Sequence, residues 1–253
     1  MLAWNSDLTS ESDSSQLDYD ARVDLSESDP VGLRKAIHAI PVPESEDELA
    51  NVRVTGIEGQ HCALMRVEHP VKLVGEGDLG DYAFAHFARG EVVWTGDVGD
   101  GVGEGMCSGT IRVRGNAGCG AGTAMKGGTL AIYGSAGDRC GAGMLGGGIF
   151  VRGDVGDDVA VGALRGTLVL GGSAGKNLGN AISDVTIFVR GSVGKLADGV
   201  TEAPLRKREQ VRLGLLLLNA SIRGDANDFR RIIPVAKLKA EQQTAGELNP
   251  NWR

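Results

Sequence analysis

Apolar residues stand at every second position in a series of short segments along the middle of the chain. These segments place apolar residues four and two positions before a Gly-x-x-Gly step, as Ile111 and Val113 do, except that the first has Leu73 but Gly75 at the second place. Alternation over a few residues, with β-branched residues on the apolar side, predicts a short β-strand that buries one face. The residue between each apolar pair varies in character, which is typical of a position that faces outward.

The Gly-x-x-Gly steps recur seven times at intervals of 19 residues, without a slip. Such a fixed short period is typical of a solenoid, in which like residues of successive coils stack on one another. Glycine at the fourth position of every step indicates a corner that requires either a positive φ angle or a close backbone approach. These corner glycines are Gly80, Gly99, Gly118, Gly137, Gly156, Gly175 and Gly194.

A coil of 19 residues accommodates two or three short strands joined by tight turns, and no strand–helix unit of any size. Stacked coils pair as parallel strands about 4.8 Å apart, so the coils together give a rod roughly 34 Å long. One coil cannot bury its own apolar face, and the core therefore exists only in the stack. We predict an all-β fold, a right-handed parallel β-helix built as a single-stranded solenoid of seven strict coils, with helical N- and C-terminal flanks.

The segments on either side of the repeat divide the chain into four parts. Residues 1–29 are rich in Ser, Asp and Glu and predict an acidic disordered tail. Residues 30–50 predict a short helix and a linker, because Asp29 is a suitable N-cap and a proline follows it. The glycine-repeat β-helix is assigned to residues 51–201, and a basic helix and arm to residues 202–253.

The segment that follows the repeat is basic and has a helical pattern. Residues 202–220 predict an α-helix, and the apolar face of this segment consists of Val211, Leu215, Leu218 and Ile222. We expect this helix to cover the open end of the rod, where unpaired strand edges would invite aggregation. The Arg and Lys side chains here form either a solvated charged face or a docking surface for an acidic partner subunit. The candidate interface residues are Arg206, Arg208, Arg212, Arg230 and Arg231.

The overall composition argues against several classes of function. The net charge of −7 argues against nucleic acid as a main partner. Four cysteines show no C-x-x-C pairing, and the sequence has neither a signal-peptide pattern nor an apolar run long enough to cross a bilayer. We therefore expect a cytoplasmic protein without membrane contact.

Several patterns resemble reactive or binding motifs. The glycine-rich residues 99–103 and 118–122 resemble fragments of dinucleotide-binding loops, but a true loop occurs once and opens a helix. Cys119 and Cys140 lie in adjacent coils, yet small buried thiols account for them better than metal ligands do. The four histidines show no ligand spacing. We expect no catalytic, cofactor-binding or metal-binding residues on this chain.

Aspartates recur directly after the glycines of the steps. A column of carboxylates on a β-helix is one way to build a polysaccharide-cleaving site. Asn and Ser share the first of the two columns, however, and all these residue types suit turns. Turn chemistry is therefore the favoured interpretation of Asp78, Asp97, Asp154, Asp81, Asp100, Asp138 and Asp157.

A family resemblance rests on three repeat segments and both flanks. Residues 112–118, 125–130 and 144–151 resemble the glycine-repeat β-helix of glutamate synthase, its C-terminal GXGXG domain. The short N-terminal helix, the basic helix and residues 228–231 resemble free-standing members of this family, such as the glycine-repeat subunit of N-methylglutamate synthase (methylamine–glutamate N-methyltransferase). The resemblance covers roughly residues 30–235, and the acidic tail departs from it.

The resemblance implies a division of labour within a hetero-oligomeric complex of methylamine or related glutamate metabolism. This chain would be a non-catalytic structural subunit without a cofactor of its own. It would bridge a class II glutamine amidotransferase-like subunit and a synthase-like subunit that carries FMN and an iron–sulfur cluster. The complex would make N-methylglutamate or a related glutamate derivative.

Two alternatives stay open. The β-helix subunit of formylmethanofuran dehydrogenase, and its counterpart in the formyltransferase/hydrolase complex, also consists of Gly-x-x-Gly coils. The basic helix and the pair Arg230 and Arg231 favour the glutamate-synthase-like interpretation over this one. The other alternative is a stand-alone β-helix enzyme that acts on carbohydrate through the Asp columns, which would require a cleft lined with carboxylates and an exported chain.

Overall fold

The computed structural model describes residues 19–26, 29–43, 45, 48–220 and 224–247 of the chain. Its described helices are α1 (Pro30–His38), α2 (Lys207–Asn219) and α3 (Val235–Glu247), with a single 3-10 turn at Ala226–Asp228. The strands are β1 (Ala21–Asp24), β2 (Ala50–Thr55), β3 (Val71–Glu76), β4 (Glu91–Thr95), β5 (Thr110–Val113), β6 (Thr129–Ile132), β7 (Gly148–Val151), β8 (Arg165–Leu170), β9 (Asp184–Val189), β10 (Val200–Ala203) and β11 (Arg230–Pro234).

Strands β1 to β9 pair in sequence order as one parallel sheet, which confirms the predicted parallel β-helix. The pairing follows the 19-residue period, so that Ile111 lies beside Leu130 and Leu130 beside Ile149. A second parallel ladder consists of single-residue bridges between the third residues of successive steps, from Leu79 to Val193. Each coil therefore contains one strand and one isolated bridge, and the right-handed sense of the coil stays a prediction.

The core consists of stacked columns of the inward side chains. Met106, Met125 and Met144 form one fully buried column, and Trp94 lies fully buried in another. The Trp94 ring explains why the preceding coil has Gly75 at the equivalent position, because a Cβ at Gly75 would lie 2.4 Å from the ring. Trp94 Nε1 donates to the Gly77 carbonyl oxygen at 2.7 Å, which satisfies the buried indole.

The turn side of each coil has an unusual backbone. Three residues at alternate positions adopt left-handed φ angles, for example +70° at Gly101, +65° at Gly103 and +63° at Gly105. Equivalent residues in other coils adopt the same conformation even where they are not glycine, as at Phe84 (+57°) and Ala160 (+60°). Because glycine adopts this conformation without steric cost, the turn accounts for the Gly-x-Gly-x-Gly pattern.

The corner glycines serve close approach, and the alternative of a positive φ angle is wrong for them. At Gly118 a Cβ atom would contact the Asp100 carboxylate and would lie 2.7 Å from the Asp100 backbone nitrogen. At Gly137 it would lie 2.8 Å from the Cys119 nitrogen. None of the seven corner glycines has a φ angle in the left-handed region. Glycine stands here because the preceding coil occupies the space of a side chain.

The N-terminal flank agrees with the predicted helix and differs from the predicted tail. The Asp29 carboxylate accepts a hydrogen bond from the Gly32 nitrogen at 2.6 Å and caps α1, and Leu33 and Ile37 are buried. The disordered tail predicted for residues 1–29 is wrong for its last part, because β1 pairs in parallel with β2 and buries Val23 against the first coil. Residues 1–18 lie outside the described residues.

At the other end the sheet changes direction. Strand β11 pairs antiparallel with β9, and β10 pairs antiparallel with β11. The expectation that a helix covers the open strand edge is therefore wrong, since β11 occupies it. The predicted helix 202–220 is also too long at its start, because Glu202 and Ala203 belong to β10 and the following Pro204 disfavours helical backbone before it.

Helix α2 packs on the outer face of the sheet with a face other than the predicted one. Leu213, Leu217 and the C-cap residue Ala220 are buried, whereas Val211, Leu215 and Leu218 are exposed. Ile222 lies outside the described residues. The helix is apolar on two sides, so its period alone did not determine which side is buried. It covers the outward residues of four strands, Ala131, Phe150, Val169 and Phe188.

A matched pair of glycine substitutions tests the corner geometry. Gly118→Ala should destabilise the fold by about 1–3 kcal/mol, because the added methyl group overlaps the preceding coil. Gly214→Ala in α2 should instead stabilise it by about 0.5–1 kcal/mol, because the site is open and alanine favours helix. Urea unfolding monitored by circular dichroism measures both effects. Equal stability of Gly118→Ala and the parent protein would contradict the close-approach explanation.

Candidate partner-binding surface

The backbone N–H groups of the glycine-rich turns are already hydrogen-bonded between coils. Gly101 and Gly105 donate to carbonyl oxygens of the next coil, both at 2.8 Å, and Gly103 donates to the previous coil at 3.0 Å. A phosphate-binding loop needs several N–H groups that point together at the ligand. The N–H groups of these turns point alternately to the next coil and to the previous coil, which argues against a nucleotide site here.

The Asp columns form hydrogen-bonded ladders along the stack. Asp78 accepts from the Asp97 nitrogen at 2.8 Å, Asp97 accepts from the Asn116 nitrogen at 2.7 Å, and Asn116 accepts from the Ser135 nitrogen at 2.9 Å. The second column behaves alike, since Asp100 accepts from the Cys119 nitrogen at 2.7 Å. These hydrogen bonds join neighbouring coils rather than residues of one turn, so the columns have a structural role that differs from the predicted turn chemistry.

Substitutions at Asp97 separate its structural role from a catalytic one. Asp97→Asn should leave the stability unchanged, because asparagine retains the acceptor oxygen, as Asn116 does in the next coil. Asp97→Ala removes the acceptor and should cost about 1 kcal/mol. Urea unfolding of both variants gives the comparison. If Asp97→Asn lost as much unfolding free energy as Asp97→Ala, the negative charge of Asp97 would contribute to stability in addition to its hydrogen bond.

Cysteine and histidine side chains do not converge on a metal site in the described chain. Cys140 is buried, and burial raises the pKa of its thiol to about 12, whereas Cys119 is exposed. Their side chains therefore occupy different environments although their coils are adjacent. Within the described ranges, no group of three or more His, Cys, Asp or Glu residues has an arrangement that could hold a metal ion.

Arg231 lies inside the fold, although the sequence placed it among the candidate interface residues. Its side chain is 2 % exposed and lies 2.8 Å from Glu209 of α2 and 2.6 Å from Glu241 of α3. Arg206 also donates to Glu241, at 2.7 Å. Hydrogen bonding from Arg231 holds the pKa of Glu241 below its ordinary value. This cluster ties β11 to both C-terminal helices.

The other predicted interface residues lie nearer the surface. Arg230 donates to the Gly191 carbonyl oxygen and lies 3.6 Å from Glu202, and Arg212 donates to the Thr167 hydroxyl at 3.4 Å. Arg208 lies on the exposed side of α2. Arg230 and Arg206 are engaged with carboxylates of this chain, so the prediction of a docking surface rests mainly on Arg208 and Arg212.

Replacement of Arg231 tests the cluster, with Arg208 as the matched control. Arg231→Met should destabilise the protein by about 3 kcal/mol, because it leaves the largely buried Glu209 without its cation and Glu241 with Arg206 alone. Arg208→Met should change the stability by less than about 0.5 kcal/mol, since that side chain is exposed. Thermal and urea unfolding at neutral pH measure both differences.

The parent protein and Arg231→Met can also be compared as a function of pH. Because the folded-state pKa of Glu241 is lowered from 4.5, its ion pair stabilises the fold above that pH and loses its effect as the pH falls through the folded value. The stability difference between the parent and Arg231→Met should therefore shrink in acid. A difference that is the same in strong acid as at neutral pH would contradict this assignment.

A groove of about 650 Å³ lies beside α2 on the outer face of the sheet. The floor of the groove is the strand surface at Gly148, which lies between Thr129 and Thr167 in the sheet and has no side chain. A Cβ atom at Gly148 would contact the Phe150 ring. Arg165, Arg212 and Lys237 line the groove together with one carboxylate, Asp184. Lys237 lies 2.7 Å from Asp184, and hydrogen bonding from Lys237 holds the pKa of Asp184 below its ordinary value. The groove therefore has a net positive lining.

The exposed side of α2 forms an apolar ridge next to this groove. Val211, Leu215 and Leu218 are 67 %, 58 % and 60 % exposed, and together they are the α2 ridge. Their spacing of four and three residues places them in one row on the helix, opposite the buried Leu213 and Leu217. The helical pattern of the sequence predicted these apolar residues as a buried face, and that prediction is wrong.

One sequence signal for this arrangement was available. The outward position of the strands holds Val93 and Arg112 in earlier coils, but Ala131, Phe150, Val169 and Phe188 in four consecutive later ones. Two large aromatic residues at positions that should face water indicate that another element covers the sheet there. That signal predicts a helix on the outer face rather than at the end of the rod.

Comparison with models of protein families and with curated proteins finds no match for this chain. Among the described residues, none of the helices is both long enough and apolar enough to cross a bilayer.

Proposed function

We propose that this chain is a non-catalytic structural subunit of a multi-subunit, glutamate-synthase-like complex. It would hold a class II glutamine amidotransferase-like subunit and a synthase-like subunit with FMN and an iron–sulfur cluster in a fixed relation. The complex would form N-methylglutamate or a related glutamate derivative. The chain itself would bind neither cofactor.

One observation carries this proposal. The polar groups of the repeat form hydrogen bonds between its own coils, whereas the apolar ridge of α2 is exposed. The turn N–H groups and the two Asp columns bond to neighbouring coils. A stack joined in this way supports the role of a stiff spacer. The resemblance of residues 112–118 and 144–151 to the glutamate synthase repeat adds the identity of the partners.

The ladders also weigh against the carbohydrate-enzyme alternative. Asp97 and Asp100 are exposed, but one oxygen of each carboxylate accepts a hydrogen bond from the backbone of the next coil, which favours a structural role for them. The formylmethanofuran-type alternative shares the coil architecture and differs from the proposal in its partners, so the composition of the complex distinguishes the two.

Isolation of the native assembly tests the proposal. The chain carries an affinity tag and is purified from its own organism under low salt, and the associated subunits are identified by mass spectrometry. We expect an amidotransferase-like protein and a flavoprotein, with a flavin absorbance band in the purified sample. Recovery of the chain alone would contradict the proposal, and association with a formyltransferase and an amidohydrolase would support the alternative.

A further inference from the structure

The α2 ridge is a helix face with no neighbour among the described residues. Helix α2 has two apolar sides, and the described residues cover only the one that carries Leu213 and Leu217. We propose that the α2 ridge docks an acidic amphipathic helix of a partner protein. This inference rests on the proposed function and names the surface and the chemistry by which one partner subunit is held.

The shape of the ridge matches a helix as its occupant. Val211, Leu215 and Leu218 span seven residue steps of α2, which corresponds to about 10 Å along the helix axis. A straight apolar row of this length fits the apolar stripe of one partner helix, with its side chains between those of the ridge. An extended strand has no sheet edge to join here, because α2 separates the ridge from the strands beneath it.

The charges around the ridge indicate the charge that the partner helix should carry. Arg208 and Arg212 lie on the same flank of the ridge, and Lys207 precedes it on the other flank. In the described part of the chain, neither Arg208 nor Arg212 takes part in an ion pair. Beyond Arg212 the groove adds Arg165 and a Lys237–Asp184 ion pair, so its lining keeps a net positive charge. A partner helix with carboxylates beside its apolar stripe would complement this surface.

The same charges argue against a second copy of this chain as the occupant. If two copies met through their ridges in antiparallel orientation, the flank with Arg208 and Arg212 would face the same flank of the other copy, with the two Arg212 residues about 8 Å apart along the axis. In parallel orientation, this flank would face Lys207. Both arrangements bring flanks of like charge together, which is destabilising.

The experiment uses the full chain in its native assembly. Tagged parent, Leu215→Asp and Val31→Asp proteins are purified from the native organism, and the mass and composition of each assembly are measured by native mass spectrometry. Val31 is the matched control, because it is a similarly exposed apolar residue (52 %) on α1. An unchanged melting temperature of the purified variants shows that the fold is intact, and Leu218→Asp provides a second variant.

We expect Leu215→Asp to lose one subunit that both the parent and Val31→Asp retain. Arg212→Glu should lose the same subunit, with an affinity lower by a factor of about ten in reconstitution. A photo-crosslinking residue at position 215 should join this chain to a helix of that subunit with Asp or Glu beside its apolar row. An assembly that keeps every subunit in Leu215→Asp overturns this proposal and leaves the proposed function intact.

Other outcomes identify a different occupant and also overturn the proposal. If Leu215→Asp lowers the mass of the isolated protein in solution, the ridge mediates self-association. If the parent binds phosphatidylserine vesicles and Leu215→Asp does not, the ridge binds a membrane surface. A crosslink from position 215 to residues 1–18 of the same chain identifies that segment as the occupant. Recovery of the parent protein without any partner contradicts both this proposal and the proposed function.

Discussion

The stacking distance between coils is the constraint on which the rest of this structure depends. Each coil has to approach the previous one closely enough for backbone hydrogen bonds on the strand side, at the single-residue bridges and on the turn side. At the corners this approach leaves no room for a Cβ atom, and Gly118 and Gly137 meet the backbone of the preceding coil. On the turn side, left-handed residues such as Gly101 and Gly103 direct their N–H groups to opposite neighbours.

Close stacking also determines where function can reside. Turn N–H groups that would elsewhere bind a phosphate are bonded to the neighbouring coils, and the exposed Asp97 and Asp100 each accept a hydrogen bond from the next coil. The inward side chains form a core composed mainly of aliphatic residues and methionines. What is left for recognition is the outer wall, and its most distinctive part is α2 with the α2 ridge and the adjoining groove. In the proposed function, the glycine repeat provides stiffness and the C-terminal flank provides the binding surface.

The sequence predicted the repeat well because a period of 19 residues has one straightforward structural explanation, a stack of equal coils. It could not distinguish the two roles of glycine, since a corner that needs close approach and a turn that needs a positive φ angle select the same residue. Strand β1 was missed because four residues, of which only Val23 and its alanine neighbour Ala21 face the core, give too short a pattern.

The C-terminal flank was harder to predict for two physical reasons. Helix α2 carries apolar residues on opposite sides, so helical spacing fits the exposed Val211 and Leu215 as well as the buried Leu213 and Leu217. Arg231 was expected at the surface because arginine is seldom fully buried without a partner. Its partners, Glu209 and Glu241, come from two helices that only the fold brings together.

The turn N–H groups are bonded between coils and are therefore unavailable to a ligand, and this claim is central to a structural rather than a ligand-binding role. Hydrogen–deuterium exchange of the isolated protein, resolved to single amides, measures it most directly. We predict that the amides of Gly101, Gly103, Gly120 and Gly122 exchange as slowly as those of the neighbouring strands β5 and β6. Exchange at the rate of an unprotected loop would show that these groups are free and would contradict the claim.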